Sequence, residues 1–297
     1  MIDYQLLNAL SAVISEGGFE KASKKLFITQ SAVSRRIHQL EAKLGEPVLI
    51  RTQPPTPLGK RLLNHLQQVL QLEVALNVEA LNEHTDLNTP LSVKLAANAD
   101  SLATWLPEAL AVLDTELACK LRFEVISEDQ SIAHKRMKDG EVMVCISSSP
   151  EPVNGGLVSP LGAIRYKAIA SPDFIKQHKL TELSQLAHLP CLVFSEYDKL
   201  QHQFLEDING SAPLFTHIYP SSEGFKQAMI AGLGYGLLPT LQLGDSLVKG
   251  ELVDLFPEYY IDTPLYWHYW QTESPQLKTL RKFALQVAGK RLEPINL

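Results

Sequence analysis

The sequence has few cysteines, no long apolar run and no surplus of positive charge. Its three cysteines, Cys119, Cys145 and Cys191, form no CxxC pair, so neither a disulfide framework nor a thiolate metal site is expected, and they read as buried thiols. The most apolar stretch, residues 102–113, is broken by Pro107 and Glu108 and falls short of the ~18 apolar residues that a membrane helix needs. The first five residues, Met1 to Gln5, show no basic segment leading into an apolar one. No secretory signal is therefore read, and a cytoplasmic protein is expected. Catalytic signatures are missing as well: there is no GxSxG elbow, no HExxH and no phosphate-binding P-loop, and the nine histidines have no metal-ligand spacing. Gly232, Gly234 and Gly236 make GxGxG, where dinucleotide binding uses GxGxxG. An enzyme, a metal centre and a bound cofactor are all unexpected.

What is present is an ordinary globular composition. The 297 residues are 45% hydrophobic and 20% charged, enough for about two domains that need no covalent staples. The net charge of −6 disfavours a polyanionic partner only if it is evenly spread. Residues 1–60 hold eight Lys or Arg against five Asp or Glu, a local +3, and the remaining 19 basic and 28 acidic residues make −9. A small basic module joined to an acidic body is the implied organisation.

The basic module reads as three helices. After Asp3, a good N-cap, Leu6, Leu7, Leu10, Val13 and Ile14 recur at helical spacing, and Gly17 and Gly18 end the run. A short second helix carries Ala22 and Leu26 on its inner face. Phe27, Ile28 and Thr29 make a tight turn, with Thr29 placed to cap a third helix from Gln30. At ~100° per residue Val33, Ile37, Leu40 and Leu44 form its core stripe. The other side carries Ser31, Ser34, Arg35 and His38, headed by Gln30, with Arg36 alongside. Gln can pair with adenine and Arg with guanine in a major groove, small Ser residues allow close approach, and helix N-terminal amides hold phosphate.

Gly45 closes that helix. Residues 46–51 then read as a short strand and 52–55 as a return, a wing that places Arg51 at the phosphate backbone. The run Thr29-Gln30-Ser31-Ala32-Val33-Ser34-Arg35-Arg36-Ile37-His38-Gln39-Leu40-Glu41, with Leu44 and Gly45, closely resembles the winged helix-turn-helix of LysR-type transcriptional regulators. Ser31 stands where proline is common in that family. The resemblance implies sequence-specific binding to double-stranded DNA through Thr29, Gln30, Ser31, Ser34, Arg35, Arg36, His38 and Arg51, with RNA polymerase among the partners such a regulator meets.

Thr56-Pro57 launches a further helix read to about residue 84, with Leu62, Leu66, Val69 or Leu70, Leu76 and Val78 as its stripe. A helix so long needs more than a sixty-residue domain to cover it. In the family the equivalent helix pairs with its copy, which implies a homodimer or tetramer. The polar segment 85–90 reads as a hinge. The expected domains are thus 1–58 for DNA binding, 59–89 for linker and dimerisation, and 90–297 for the acidic body.

That body alternates short strands with helices and reads as α/β with a mostly parallel sheet. Strands are expected at 91–97, 121–125, 142–146, 163–170, 191–194 and 265–270, and helices at 101–113, 132–138, 222–231 and 275–292. The pattern restarts after Gly162, so two lobes are expected: about 90–162 with 266–297, and about 163–265. Such lobes can close on a small ligand. LysR-type effector domains have this two-lobed, periplasmic-binding-protein-like architecture. The run Asn98-Ala99-Asp100-Ser101-Leu102-Ala103-Thr104-Trp105 is similar to the arginine- and lysine-responsive ArgP/LysG-type subgroup, which controls basic amino-acid export. Ser101, Ser221 and Ser222 lie near helix starts that suit a carboxylate. Asn98, Asp100, Glu128, Asp129 and Asp198 lie at strand ends, where carboxylates can pair with an ammonium or guanidinium. The expected effector is arginine or lysine. A LysR-type regulator of a different small anionic metabolite is the alternative, and a solute-binding protein the alternative from another class.

Overall fold

The structure, a computed structural model, describes residues 3–50, 54–75, 91–116, 121–128, 130–208 and 211–295. Arg51, Cys119, Asp129, residues 76–84 of the expected linker helix and the hinge lie outside them. Among the described residues no helix is long and apolar enough to cross a membrane.

Helices α1 (Tyr4–Glu16), α2 (Phe19–Lys25) and α3 (Gln30–Leu44) form the N-terminal unit, followed by α4 (Pro57–Ala75). Each start has a chemical cause. The Asp3 carboxylate accepts from the Gln5 amide, and Thr29 Oγ1 accepts from Ala32 N at 3.2 Å. Gly45 stops α3 at φ +73, a left-handed turn that a side chain would resist. Leu6, Leu7, Leu10 and Val13 of α1 close on Val33, Ile37 and Leu40 of α3 in one buried cluster. Over the described residues 46–50 the expected strand is reduced to a single antiparallel bridge, Leu49 to Pro55, closed by Thr56 N on the Val48 carbonyl (3.0 Å) and Ile50 N on the Pro54 carbonyl (2.8 Å), while Glu41 Oε1 takes the Val48 amide (3.0 Å).

Leu62 and Leu66 of α4 also depart from expectation. Both are buried inside the N-terminal cluster, so the first half of α4 completes its own domain. Leu70, further along, is exposed.

The body is built on β1 (Leu91–Ala97), β2 (Leu121–Ser127), β3 (Val144–Ser147), β4 (Gly156–Ala170), β5 (Pro190–Val193), β6 (Phe215–Ile218), β7 (Gly236–Pro239), β8 (Val253–Asp254) and β9 (Ile261–Trp270). Between them run α5 (Ala99–Ala103), α6 (Leu106–Glu116), α7 (Gln130–Lys138), α8 (Pro172–His178), α9 (Leu200–Asp207), α10 (Ser222–Ile230) and α11 (Thr240–Leu243), and α12 (Pro275–Arg291) ends the fold. The main sheet has the order β2-β1-β3-β9-β4-β7, with β8 on β4. Only β1 with β2 and β1 with β3 are parallel, so the sheet is mixed. The reason is β4, which starts at Gly156, well before the expected residue 163, and runs antiparallel to β9 along nearly its whole length. A two-stranded parallel sheet, β5-β6, makes the second layer and touches β7 through a Cys191–Tyr235 bridge.

The helix expected over 101–113 is two helices. Trp105 is fully buried and its indole N–H donates to Ser101 Oγ at 3.1 Å, which turns the chain at Thr104 (φ −123, ψ −87). Trp105, Leu106 and Ala109 then pack with Leu280, Ala284 and Ala288 of α12 in the main core.

Candidate functional site

A cleft of about 670 Å³ opens where several strand ends meet, within the ~300–1,000 Å³ of small-molecule sites. Its wall takes Asn98, Ala99 and Asp100 after β1, Ser127 and Glu128 at the end of β2, and Phe194, Ser195 and Tyr197 to Gln201 after β5. Ser222 of α10, Gln242 of α11 and the β4 and β9 residues Tyr166 and Ile261 to Pro264 complete it. The carboxyl ends of strands are where open α/β sheets hold ligands, because helix starts and free loops converge there.

Asp100 is the centre of the cleft's polar network. Its Oδ2 accepts from the Tyr166 hydroxyl at 2.6 Å and its Oδ1 from the Ser222 hydroxyl at 3.0 Å. Gln242 Nε2 donates in turn to Ser222 Oγ. Burial raises the Asp100 carboxyl above the ordinary carboxylate range; the two hydroxyls oppose that rise and Asp198 adds to it. Tyr166 is driven well above its ordinary value, by its own burial first and by Asp100 next. Among the described residues no cation pairs with Asp100. Two further acceptors share the wall. Asn98, 7% exposed, and Gln201, 1% exposed, each bury a side-chain carbonyl oxygen that finds no donor among the described residues. Unpaired buried acceptors cost free energy unless a ligand or water satisfies them.

The other expected cleft residues are placed differently. Glu128 lines the cleft but its carboxylate is held by Arg136 Nε at 2.9 Å and by Nη2, an internal ion pair. Asp198 also lines it, with both oxygens accepting backbone amides, Phe194 N at 2.9 Å and Leu200 N at 3.0 Å. Ser101 is fully buried, and its Oγ accepts from the Trp105 indole N–H. Ser221 is the N-cap of α10, accepting from Gly224 N, and only its neighbour Ser222 reaches the cleft. Tyr166, Gln201 and Gln242 were not singled out by the sequence. Tyr166 sits in an apolar strand and the glutamines in plain helical segments, with no local signal to mark them.

A second candidate surface is the exposed side of α3. Thr29, Gln30, Ser31, Arg35 and His38 are exposed, and Gln39 joins them. Ser34 and Arg36 lie half-buried on the flanks, Arg36 donating to Gln5 Oε1 of α1 at 3.2 Å. The His38 ring sits 2.8 Å from the Ser34 carbonyl one turn back.

Comparison with known proteins matches both parts. Residues 4–60 match the bacterial regulatory helix-turn-helix protein, lysR family, and residues 91–289 match the LysR substrate binding domain. The chain is 46% identical over 302 aligned positions to an HTH-type transcriptional regulator ArgP of Pseudomonas aeruginosa, covering 100% of this chain and 99% of that protein. A counterpart of the same description from Vibrio vulnificus is 40% identical, with 98% of each chain covered. Among solved structures, ArgP from Mycobacterium tuberculosis superposes with a TM-score of 0.81 at 30% identity, over 99% of this chain and 100% of that one. Full-length LysG from Corynebacterium glutamicum with bound effector Arg superposes with a TM-score of 0.74 at 32% identity and the same coverage.

Proposed function

The chain belongs to the LysR family of DNA-binding transcriptional regulators, and from that premise we propose that its cleft takes arginine or lysine as effector. Family membership also makes a regulator, and not an enzyme, the expected role. The observation that carries the effector assignment is the Asp100 carboxylate in the cleft wall, which among the described residues is bonded only to neutral hydroxyls. A guanidinium or ammonium beside Asp100 restores the charge balance that burial disturbs. The start of α10 at Ser222 and the exposed Lys199 at the rim suit the ligand's carboxylate. LysG of C. glutamicum, a structural neighbour, holds Arg as its effector.

DNA is met through α3. Gln30, Ser31 and Arg35 face outward from the capped N-terminal half of the helix, the end that enters a major groove first. Ser34 and Arg36 act from its flanks, and Thr29 and His38 complete the surface. Asp100 on one side of the cleft and Ser222 on the other link α5 to α10 through their hydrogen bond. A ligand that replaces this contact changes how the two sides are held, and a homodimer would carry the change to paired recognition helices. Self-association has support in the exposed Leu70 of α4 and in β6, where Phe215 and Ile218 are exposed with Leu214 just ahead of the strand. A regulator of this kind works in the cytoplasm, on amino-acid export or metabolism genes.

Titration calorimetry of the full-length protein with L-arginine and with L-lysine tests the effector assignment. Heat of binding with a 1:1 ratio per chain is expected for at least one. No heat and no shift of the unfolding temperature with either removes the assignment.

A further inference from the structure

Phe27 is a large apolar side chain on the surface for no internal reason. It is 96% exposed, while its neighbours Leu26 and Ile28 both pack against the N-terminal core. Its backbone is left-handed, φ +52, one of two non-glycine residues so placed among the described residues. A bulky residue is disfavoured there, where Gly or Asn fits. The turn is fixed from both sides, by Leu26 N on Ala22 O (2.9 Å) and Ile28 N on Ser23 O (3.1 Å). The ring therefore projects at a set place, two residues ahead of the Thr29 cap and on the approach to the exposed Gln30 and Ser31. Neither stability nor backbone geometry accounts for a phenylalanine at this position. An outside partner does.

The surroundings say which partner. Residues 21–40 hold five Lys or Arg and no Asp or Glu; Lys24 and Lys25 pair with Glu20 and Glu16 on the preceding turns, which leaves Lys21, Arg35 and Arg36 as the local positive charge. An apolar ring in so basic a segment, continuous with the helix-turn-helix surface, faces a polyanion. In a duplex major groove the apolar feature open to such a ring is the C5-methyl of thymine. We infer that Phe27 is a DNA-reading residue that packs on a thymine methyl at the edge of the groove entered by α3. This rests on the assignment of α3 as the recognition helix and adds to it a contact from the preceding turn. It assigns sequence preference to a residue outside the helix itself.

The test uses full-length protein and DNA fragments enriched from a random pool by the wild type. Thymines in an enriched fragment are replaced one at a time by deoxyuridine, which removes the methyl and keeps the base pairing. One position in each half-site should weaken wild-type binding, by about fourfold for one buried methyl group. Phe27→Asn should bind the parent fragment about as weakly as the wild type binds that substituted one, and should be indifferent to the substitution. Phe27→Leu should retain part of the sensitivity. Because Asn suits the left-handed turn, the Phe27→Asn unfolding temperature should stay level or rise, which separates lost contact from lost fold. Unchanged affinity of Phe27→Asn for the enriched fragment overturns the inference. So does a uniform loss that leaves the deoxyuridine sensitivity intact. A wild type that enriches no sequence at all overturns the recognition-helix assignment and the inference with it.

Discussion

Replacing Asp100 by Asn removes a charge and almost no volume. The cleft carboxylate sits within hydrogen-bond reach of Tyr166 and Ser222, and neither supplies a positive charge. A ligand cation ~4 Å away gains ~4 kcal/mol of Coulomb energy at an effective dielectric of about 20. Desolvation of that cation offsets part of the gain, leaving the ~1.5–3 kcal/mol of a hydrogen bond to a charged group. The Kd for arginine should therefore rise about 10- to 150-fold in Asp100→Asn. Stability should move the other way. Burial raises the Asp100 pKa, so the ionised group weighs against folding at neutral pH, and Asn should hold the unfolding temperature level or raise it. That advantage should fade as pH falls through the raised pKa towards the ordinary 3.8, below which Asp100 is protonated in both folded and unfolded chains. Calorimetry for affinity and thermal unfolding at several pH values read both arms. Undiminished arginine affinity would refute the assignment of Asp100 to the cation. A large loss of stability at neutral pH would make the carboxylate a structural latch.

Thr29→Ala deletes the cap of α3 and should cost ~1 kcal/mol, read as a lower unfolding temperature together with weaker DNA binding. Gly59→Ala should cost more: a methyl there runs into the Val48 carbonyl oxygen, so the contact that seats the wing on α4 must open, and denaturant unfolding should show a loss of ~2 kcal/mol or more. His268 is fully buried beside His134. Burial first, then His134, lowers its pKa from 6.5 to about 4. A depressed folded pKa means the unfolded chain binds the proton first, so stability should fall as pH drops from 6.5 towards 4, by ~3 kcal/mol in all. His268→Gln should flatten that slope in pH-dependent unfolding.

Much of the DNA-binding half was legible because its signals are local. A cap such as Thr29, a stripe such as Val33, Ile37 and Leu40, and a stop such as Gly45 act within a turn or two, and the fold keeps all of them. The wing strand was overestimated because an apolar run resembles a strand whether or not a ladder forms; here one bridge forms, and the Val48 amide goes to the Glu41 carboxylate. The body was legible as alternating elements and illegible in its pairing. Nothing near Gly156 announces that β4 begins there and pairs with β9, about a hundred residues on. The site divides in the same way. Asn98, Asp100, Glu128, Asp198 and Ser222 were expected at the cleft and line it. What sets Asp100 apart is invisible in sequence, since Glu128 is neutralised by Arg136, eight residues along, and Tyr166 reaches Asp100 from 66 residues away.

If α3 reads DNA sequence and the cleft takes a cationic amino acid, a footprint of the full-length protein on an enriched DNA fragment should respond to L-arginine or L-lysine. Protection of two related half-sites is expected, with a change in their extent or affinity when the effector is added, and no such change in Asp100→Asn. Protection without sequence preference, or a footprint that neither amino acid alters, would contradict that coupling.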